Sequence, residues 1–356
     1  MLRRKEITTL MINAIFAKML IVFPRTLIRN SGNAAWLQML INIITVLIIF
    51  FITFSVYKEK KNIIEIANER GGKWFKIPVG IILFLILASN FISVIRIFPE
   101  TINIVLLKET PTTIILLFFA ITVAFGAYMG IESISRIHYI FLPITGAVLV
   151  LFLIVLSPYY KTENLMPILG NGADKLFLSG FKTTYLFSDL ILLYILMPFA
   201  ETLYDIKHGG FKAIIISGAA AFLIMLAYCL VFPYPLSENF VFPVYQLTRM
   251  VHLSTFFNRF EAFFQFIWSI MILLYASFYI YAMCFVLQQT FSLKYYKPMI
   301  FPIVITLCSF SLIPENARTV LYTEKIVMIT VSIIVSVLPI VFGLMTKRFK
   351  RKGIQK

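Results

Sequence analysis

The chain has 356 residues, 60% of them hydrophobic and 13% charged, with a formal net charge of +16 at pH 7. A soluble domain averages about 45–50% apolar and about 25% charged residues, and single soluble cores stop growing near ~300 residues, so the apolar excess excludes an ordinary soluble domain. A basic soluble chain would point to nucleic acid; here Lys and Arg sit in short segments between apolar runs, which points to membrane orientation and away from a nucleic-acid partner.

Apolar runs of about 20 residues recur, such as 41–56 with its flanks, 114–129 and 326–345. Each is long enough to cross ~30 Å of hydrocarbon at ~1.5 Å per residue. They predict an all-α polytopic membrane protein, a single permease-like domain over 1–356. About ten transmembrane helices are expected in the bilayer, at roughly 7–29, 34–57, 77–107, 111–130, 138–157, 178–203, 211–233, 261–289, 298–313 and 323–346. The first run has a basic flank but no small-residue cleavage site, so it reads as a retained span. With the N-terminus inside, Arg3, Arg4, Lys5, the basic residues from Lys58 to Lys76, Arg136, Lys207, Lys212, Lys294, Lys297 and the basic tail 347–356 share one face. Excess Lys and Arg marks the cytoplasmic side, so both termini are expected there.

In chain order, the first span carries Lys18 between Ala17 and Met19, followed by Pro24. Lys18 lies roughly 16 Å into the membrane, near the midplane and beyond snorkelling reach of either interface. A charge there costs ~2.5–3.5 kcal/mol on insertion scales, so an acidic partner, a wet cavity or a neutral amine is required. Four roles are open to it: a fixed cation replacing a coupling ion, a proton carrier, a contact for a ligand carboxylate, or a structural partner of Asp189. In the third span Arg96 and Glu100 stand at i, i+4, the spacing of an ion pair on one helix face, with a gating or a bracing role. The sixth span carries Phe187, Ser188 and Asp189, then Pro198. They line the same cavity as Lys18 and bind a ligand amine or a cation, or Asp189 faces the lumen. Glu201 and Asp205 read as interfacial charges. Arg259 and Glu261, two apart before the eighth span, point to different faces and either gate or cap it.

Charge beside proline marks the first and sixth spans as broken helices. They open two halves, about 7–157 and 178–346, and five spans in each force opposite orientations, an inverted repeat. An unwound turn in the membrane frees backbone groups that are tolerable only where they line a cavity or meet a ligand. Interrupted segments at matching positions of two halves point to the binding site of a secondary transporter. Cys229, Cys284 and Cys308 fall inside separate spans and read as packing residues, with no disulfide framework, metal site or cofactor implied. No HExxH, nucleotide-binding glycine loop or serine–histidine pattern appears, so no enzyme is expected. His138, His208 and His252 read as loop residues near span ends.

Several motifs resemble one family over nearly the whole chain. Pro24 followed by Gly32-Asn-Ala-Ala-Trp36 is similar to the end of the first span in B subunits of spore germinant receptors. Asn164-Leu-Met-Pro-Ile-Leu-Gly-Asn-Gly172 resembles their loop before the sixth span. Phe242-Pro243, Arg259-Phe-Glu261 and Trp268 resemble their approach to the eighth, and Ser311-Leu-Ile-Pro-Glu-Asn-Ala317 their loop before the tenth. The ordered set resembles an endospore germination permease, a branch of the amino acid–polyamine–organocation transporter superfamily. The resemblance implies a ten-span inverted-repeat fold in the inner membrane of a bacterial spore. It also implies a nutrient-sensing role, commonly for an amino acid, exercised together with A and C subunits. The chain departs from its relatives at Ala17-Lys18-Met19, where they often have a glycine-containing turn that presents backbone N–H groups to a substrate carboxylate. Without glycine that turn is harder to open, which counts against an unmodified α-amino acid. The alternative function is a proton- or sodium-coupled secondary transporter of amino acids or amines; a third reading is an ion channel.

Overall fold

The computed structural model describes residues 1–251, 260–313, 327 and 329–345. The helices are α1 (Arg4–Ser31), α2 (Ala35–Val56), α3 (Ile63–Val105), α4 (Thr112–Met129), α5 (Ile131–Leu156), α6 (Ala173–Lys182), α7 (Ile191–Ile195), α8 (Leu203–Val231), α9 (Pro243–Arg249), α10 (Phe260–Phe291), α11 (Ile300–Ser311) and α12 (Ile329–Met345). Among the described residues no strand forms, apart from an isolated bridge between Leu2 and Ala200. By length and composition, 7 stretches can cross a membrane, and the shorter apolar helices Lys297–Ser311 and Ile329–Met345 add to them. The protein is an all-α polytopic membrane protein, with helical segments at each of the predicted spans. Arg259, the loop from Pro314 to Ala317, His252 and the tail 347–356 lie outside the described residues.

The two spans expected to be broken behave differently. α1 is continuous, with Pro24 inside it, so the predicted break in the first span is absent. Proline's fixed φ suits a helix and forfeits one N–H bond. Ala17-Lys18-Met19 contains no glycine to make an opened backbone cheap. Pro78 and Pro99 in α3 and Pro143 in α5 are carried inside helices in the same way.

The sixth span does break. α6 stops at Lys182, a 3-10 turn runs Thr184–Leu190 with Phe187 at φ −102°, ψ 17°, α7 lasts 5 residues, and a second 3-10 turn spans Met197–Phe199. Thr183 Oγ1 donates to the Ser179 carbonyl at 2.8 Å and Thr184 Oγ1 to the Phe181 carbonyl at 2.9 Å. Two adjacent hydroxyls thus compete with backbone amides for the carbonyls that would continue α6. Pro198 then removes a donor and biases the residue before it away from helix.

α3 starts ahead of its predicted span. Asn62 Oδ1 accepts from the Glu65 amide at 2.7 Å and Glu65 Oε2 from the Asn62 amide at 2.9 Å, a reciprocal cap. At Gly72, with φ 58° and ψ −153°, the backbone turns between a short surface piece and the membrane-crossing piece.

The apolar window of α10 is 78% buried and that of α3 67%, whereas those of the α4 and α5 stretches are 28% and 22% buried. α10 and α3 therefore form the centre with α1, whose Leu10, Met11, Ala14, Ile15 and Ala17 are fully buried. α4 presents Leu117, Phe118, Ile121 and Phe125 outward, as a lipid-facing helix does. Small residues allow the close central packing: a Cβ on Gly80 would lie 1.9 Å from Thr290 Oγ1 of α10.

Contacts sort the connecting segments into two ends. At one, Arg4 meets Asp205 at 2.9 Å, the Met1 amine meets Glu132 at 3.2 Å, Lys60 Nζ donates to the Glu201 carbonyl at 3.0 Å, and Lys76 Nζ to Ser292 at 2.8 Å. At the other, Arg29 faces Glu238 at 3.8 Å and the Asn171 amide donates to the Ser31 carbonyl at 3.3 Å. At the first end Glu201 is exposed, whereas Asp205 is buried there against Arg4 and Thr202.

Candidate functional site

Halfway along α1, Lys18 is held by three oxygen atoms from two other elements. Its Nζ lies 2.8 Å from Asp189 Oδ2, and donates to Asn90 Oδ1 at 2.8 Å and Ser188 Oγ at 2.7 Å. Two of the three ammonium protons have hydrogen-bond acceptors, in Asn90 and Ser188, and the Asp189 carboxylate beside them balances the charge. Ser188 Oγ donates in turn to Asn90 Oδ1 at 3.1 Å, while Asn90 Nδ2 donates to the Ile86 carbonyl at 3.0 Å, which orients the amide with its oxygen toward the lysine. The other carboxylate oxygen, Asp189 Oδ1, accepts from the hydroxyls of Tyr275, at 3.4 Å, and Tyr279. Those two rings stand one turn apart on α10 with centroids 4.4 Å apart.

The cluster is buried. Lys18 is 8% exposed and Asp189 0%. Burying either charge alone would be expensive, and the pair persists because each partner also satisfies neutral dipoles around it. The acidic partner is therefore the solution adopted for the midplane lysine. The arrangement joins α1, α3, the broken sixth span and α10 in one charge-neutral knot.

One small cavity borders this knot and a second lies farther along the bundle. The first, of about 30 Å³, lies between α2, the 3-10 turn, α7 and α12, and is lined by Phe187, Ser188, Tyr194 and the hydroxyls of Thr53, Thr184, Ser332 and Ser336. The other, of about 20 Å³, lies further along α1, lined by Leu20, Ile21, Thr101, Thr248, Gln265 and Trp268 among others. At these volumes each holds only one or two water molecules. Trp268 Nε1 donates to the Ala17 carbonyl at 3.2 Å, so the wall of the second cavity is fastened to the turn beside Lys18.

The residues singled out from sequence are not all brought together. Lys18, Ser188 and Asp189 meet directly, and Phe187 lines the first cavity. Ala17 joins through its carbonyl, and Met19 is buried in the core. Arg96 and Glu100 form their expected pair, at 2.6 Å on α3, apart from the knot. Pro24 and Pro198 lie in α1 and in the second 3-10 turn, and Glu261 in the first turn of α10. Asn90, Tyr275 and Tyr279 were missed. Their signals were a lone amide in the apolar run of the third span and a tyrosine pair at i, i+4 in the eighth.

His138 requires a correction. It is 2% exposed inside α5 and not in a loop. Its Nδ1 lies 2.8 Å from the Ile134 carbonyl, which can only accept, so Nδ1 carries the proton. Nε2 then accepts from Asn13 Nδ2 at 3.0 Å, and the same amide nitrogen donates to the Met271 carbonyl at 3.1 Å. An isolated histidine among apolar residues carried no signal that it would pack against α1. The three cysteines are buried and unbridged.

A family model described as spore germination protein matches residues 1–320. The chain is 25% identical to spore germination protein A2 of Bacillus subtilis (strain 168), over 90% of this chain and 89% of that protein. It is 24% identical to spore germination protein YndE of the same organism, over 97% and 96%. Against spore germination protein KB it is 25% identical, over 71% and 69%. A match over residues 1–320 of this many-helix membrane chain means that the protein belongs to the permease-like family of spore germination proteins.

Proposed function

We propose that the chain is the nutrient-sensing membrane subunit of a spore germinant receptor, acting with A and C subunits in the spore inner membrane, both termini cytoplasmic. A small nutrient enters a mid-membrane cavity beside Lys18, Phe187, Ser188 and Asp189, and its binding redistributes the contacts that close the knot. The observation that carries this reading is the Lys18–Asp189 pair, 2.8 Å apart and buried at the break of the sixth span, beside a small cavity lined by Phe187 and Ser188. A charge pair inside a membrane bundle marks a ligand or ion pathway by its cost. A broken helix at that depth supplies the backbone that can rearrange. The two halves, about 7–157 and 178–346, move as inverted repeats around this point. Arg96–Glu100, Arg259, Glu261 and Pro198 belong to the gates and hinges that control access.

The test is germination of spores lacking the gene, across amino acids, sugars and purines, with calcium dipicolinate as a control that bypasses nutrient receptors. Selective loss of one nutrient response, restored by the wild-type gene and not by Lys18→Met, is expected. A full response in Lys18→Met spores removes the lysine from the mechanism. An unchanged profile on deletion, together with saturable uptake by the purified protein in liposomes, would favour the transporter reading.

A further inference from the structure

We propose that the membrane-facing groove between α5 and α8 is a phospholipid site, which takes one acyl chain along its length and sets the headgroup phosphate beside Lys161. The inference is independent of the nutrient-sensing reading. Three observations carry it.

The first is shape. The groove has a volume of about 460 Å³, far larger than the cavities near the knot. On α5 its lining runs from Val150 to Ser157 and on α8 from Leu223 to Leu230, two turns of each helix or about 10 Å. Spread over that length, the volume corresponds to a cross-section of roughly 46 Å², against ~80 Å² or more for an α-helix with its side chains, about 10–12 Å across. A hydrocarbon chain fits inside and a helix does not. The groove also runs along the helices, the direction that acyl chains take in a bilayer. Ala227, buried at its floor, gives it depth between the larger side chains of the rim.

The second is the surroundings. Val150, Ile154 and Leu223 are exposed, and the apolar window of the α5 stretch is only 22% buried, so this face lies in hydrocarbon. An empty groove there forfeits dispersion contacts along its whole lining. Its polar groups are already engaged: the Tyr160 hydroxyl donates to the Leu153 carbonyl at 2.9 Å, and the Leu230 carbonyl accepts from the Lys161 amide at 3.0 Å and from Asn164 Nδ2 at 2.9 Å. Ser157, at the same end as Tyr160 and Leu230, is the other lining residue with a polar side chain. The body of the groove therefore suits an apolar chain, and one end suits a polar group.

The third is the charge at that end. Lys161 is exposed and fixed there by its amide bond to Leu230, at the level where the helices end and headgroups begin. A lysine at that level attracts a phosphate. Glu163, exposed two residues on, offers the counterpart for a headgroup amine.

Full-length protein in detergent micelles, titrated with dioleoylphosphatidylethanolamine and followed by native mass spectrometry and by its thermal transition, tests this. One lipid retained per chain, with saturable stabilisation, is expected. Leu226→Trp, which puts a large ring into the groove from its rim, is expected to weaken binding at least tenfold; should it fail to fold, Ile154→Trp is expected to act in the same direction. Lys161→Gln is expected to weaken binding about fivefold, the ~1 kcal/mol of one lysine near a membrane surface, and dioleoylglycerol, which has the chains without the phosphate, to bind as weakly. No retained lipid, or retention unchanged in both tryptophan variants, overturns the site. Equal binding of dioleoylglycerol and the phospholipid, unchanged by Lys161→Gln, overturns the headgroup assignment. Lipid-free chains that cross-link to one another through Ile154→Cys overturn the proposal in favour of a second copy.

Discussion

Lys18 is the residue on which the membrane environment acts most severely, and its contacts define a sharp expectation. Removing one partner of a buried pair strands the other, at a cost of about 3–5 kcal/mol, whereas replacing both by apolar groups is often neutral. Lys18→Met should therefore lower stability by that amount, and Lys18→Met with Asp189→Leu should recover most of it. Thermal unfolding of the purified variants measures the coupling. If the double variant is stable yet unresponsive to nutrient, the pair serves the response and not only the fold. The partners of Lys18 were half legible. Ser188 and Asp189 stood out as polar residues in an apolar span, but Asn90, Tyr275 and Tyr279 come from helices distant in sequence, and which faces of those helices turn inward is set by packing. His138 was misjudged for the same reason: its burial depends on α1 and α10, which bring Asn13 and Met271 to it.

Among elements, the contrast between α1 and the sixth span shows what proline can and cannot do. Pro24 sits in a continuous helix, so Pro24→Ala should change stability by no more than about 1 kcal/mol and leave the nutrient response unchanged, because it restores at most one hydrogen bond. Unfolding and germination assays on that variant check the point, and loss of response would revive a break in α1. The sixth span breaks where hydroxyls and proline act together, a combination of local signals that sequence does carry, since Thr183, Thr184 and Pro198 are all in view. The turn in α3 depends on Gly72, held at φ 58°. A side chain is strained there, so Gly72→Ala should cost roughly 1–3 kcal/mol. Gly146→Ala in α5 has nothing within 4 Å of the new methyl group and should be neutral or stabilising by up to ~1 kcal/mol. Parallel thermal melts separate the two cases.

At the scale of the whole molecule, the segments expected on the cytoplasmic side gather at one end through Arg4–Asp205, Met1–Glu132, Lys60–Glu201 and Lys76–Ser292. Placing that basic end in the cytoplasm predicts a labelling pattern. A membrane-impermeant maleimide should modify Lys175→Cys in intact cells and Lys60→Cys only after permeabilisation. The native cysteines are buried and should stay silent. The reverse pattern would invert the topology.

Sequence alone determined that this is a many-span helical membrane protein, where its helices lie, and the family to which it belongs. The reason is physical: hydrocarbon demands long apolar helices, and that demand is written in consecutive residues. Sequence also exposed Lys18 and Asp189 as charges in the wrong solvent. Only the tertiary structure decided that they neutralise each other, that α1 stays whole while the sixth span breaks, and that α5 and α8 leave a groove between them. Those outcomes depend on which faces of distant helices meet, and a one-dimensional pattern does not encode the facing partner.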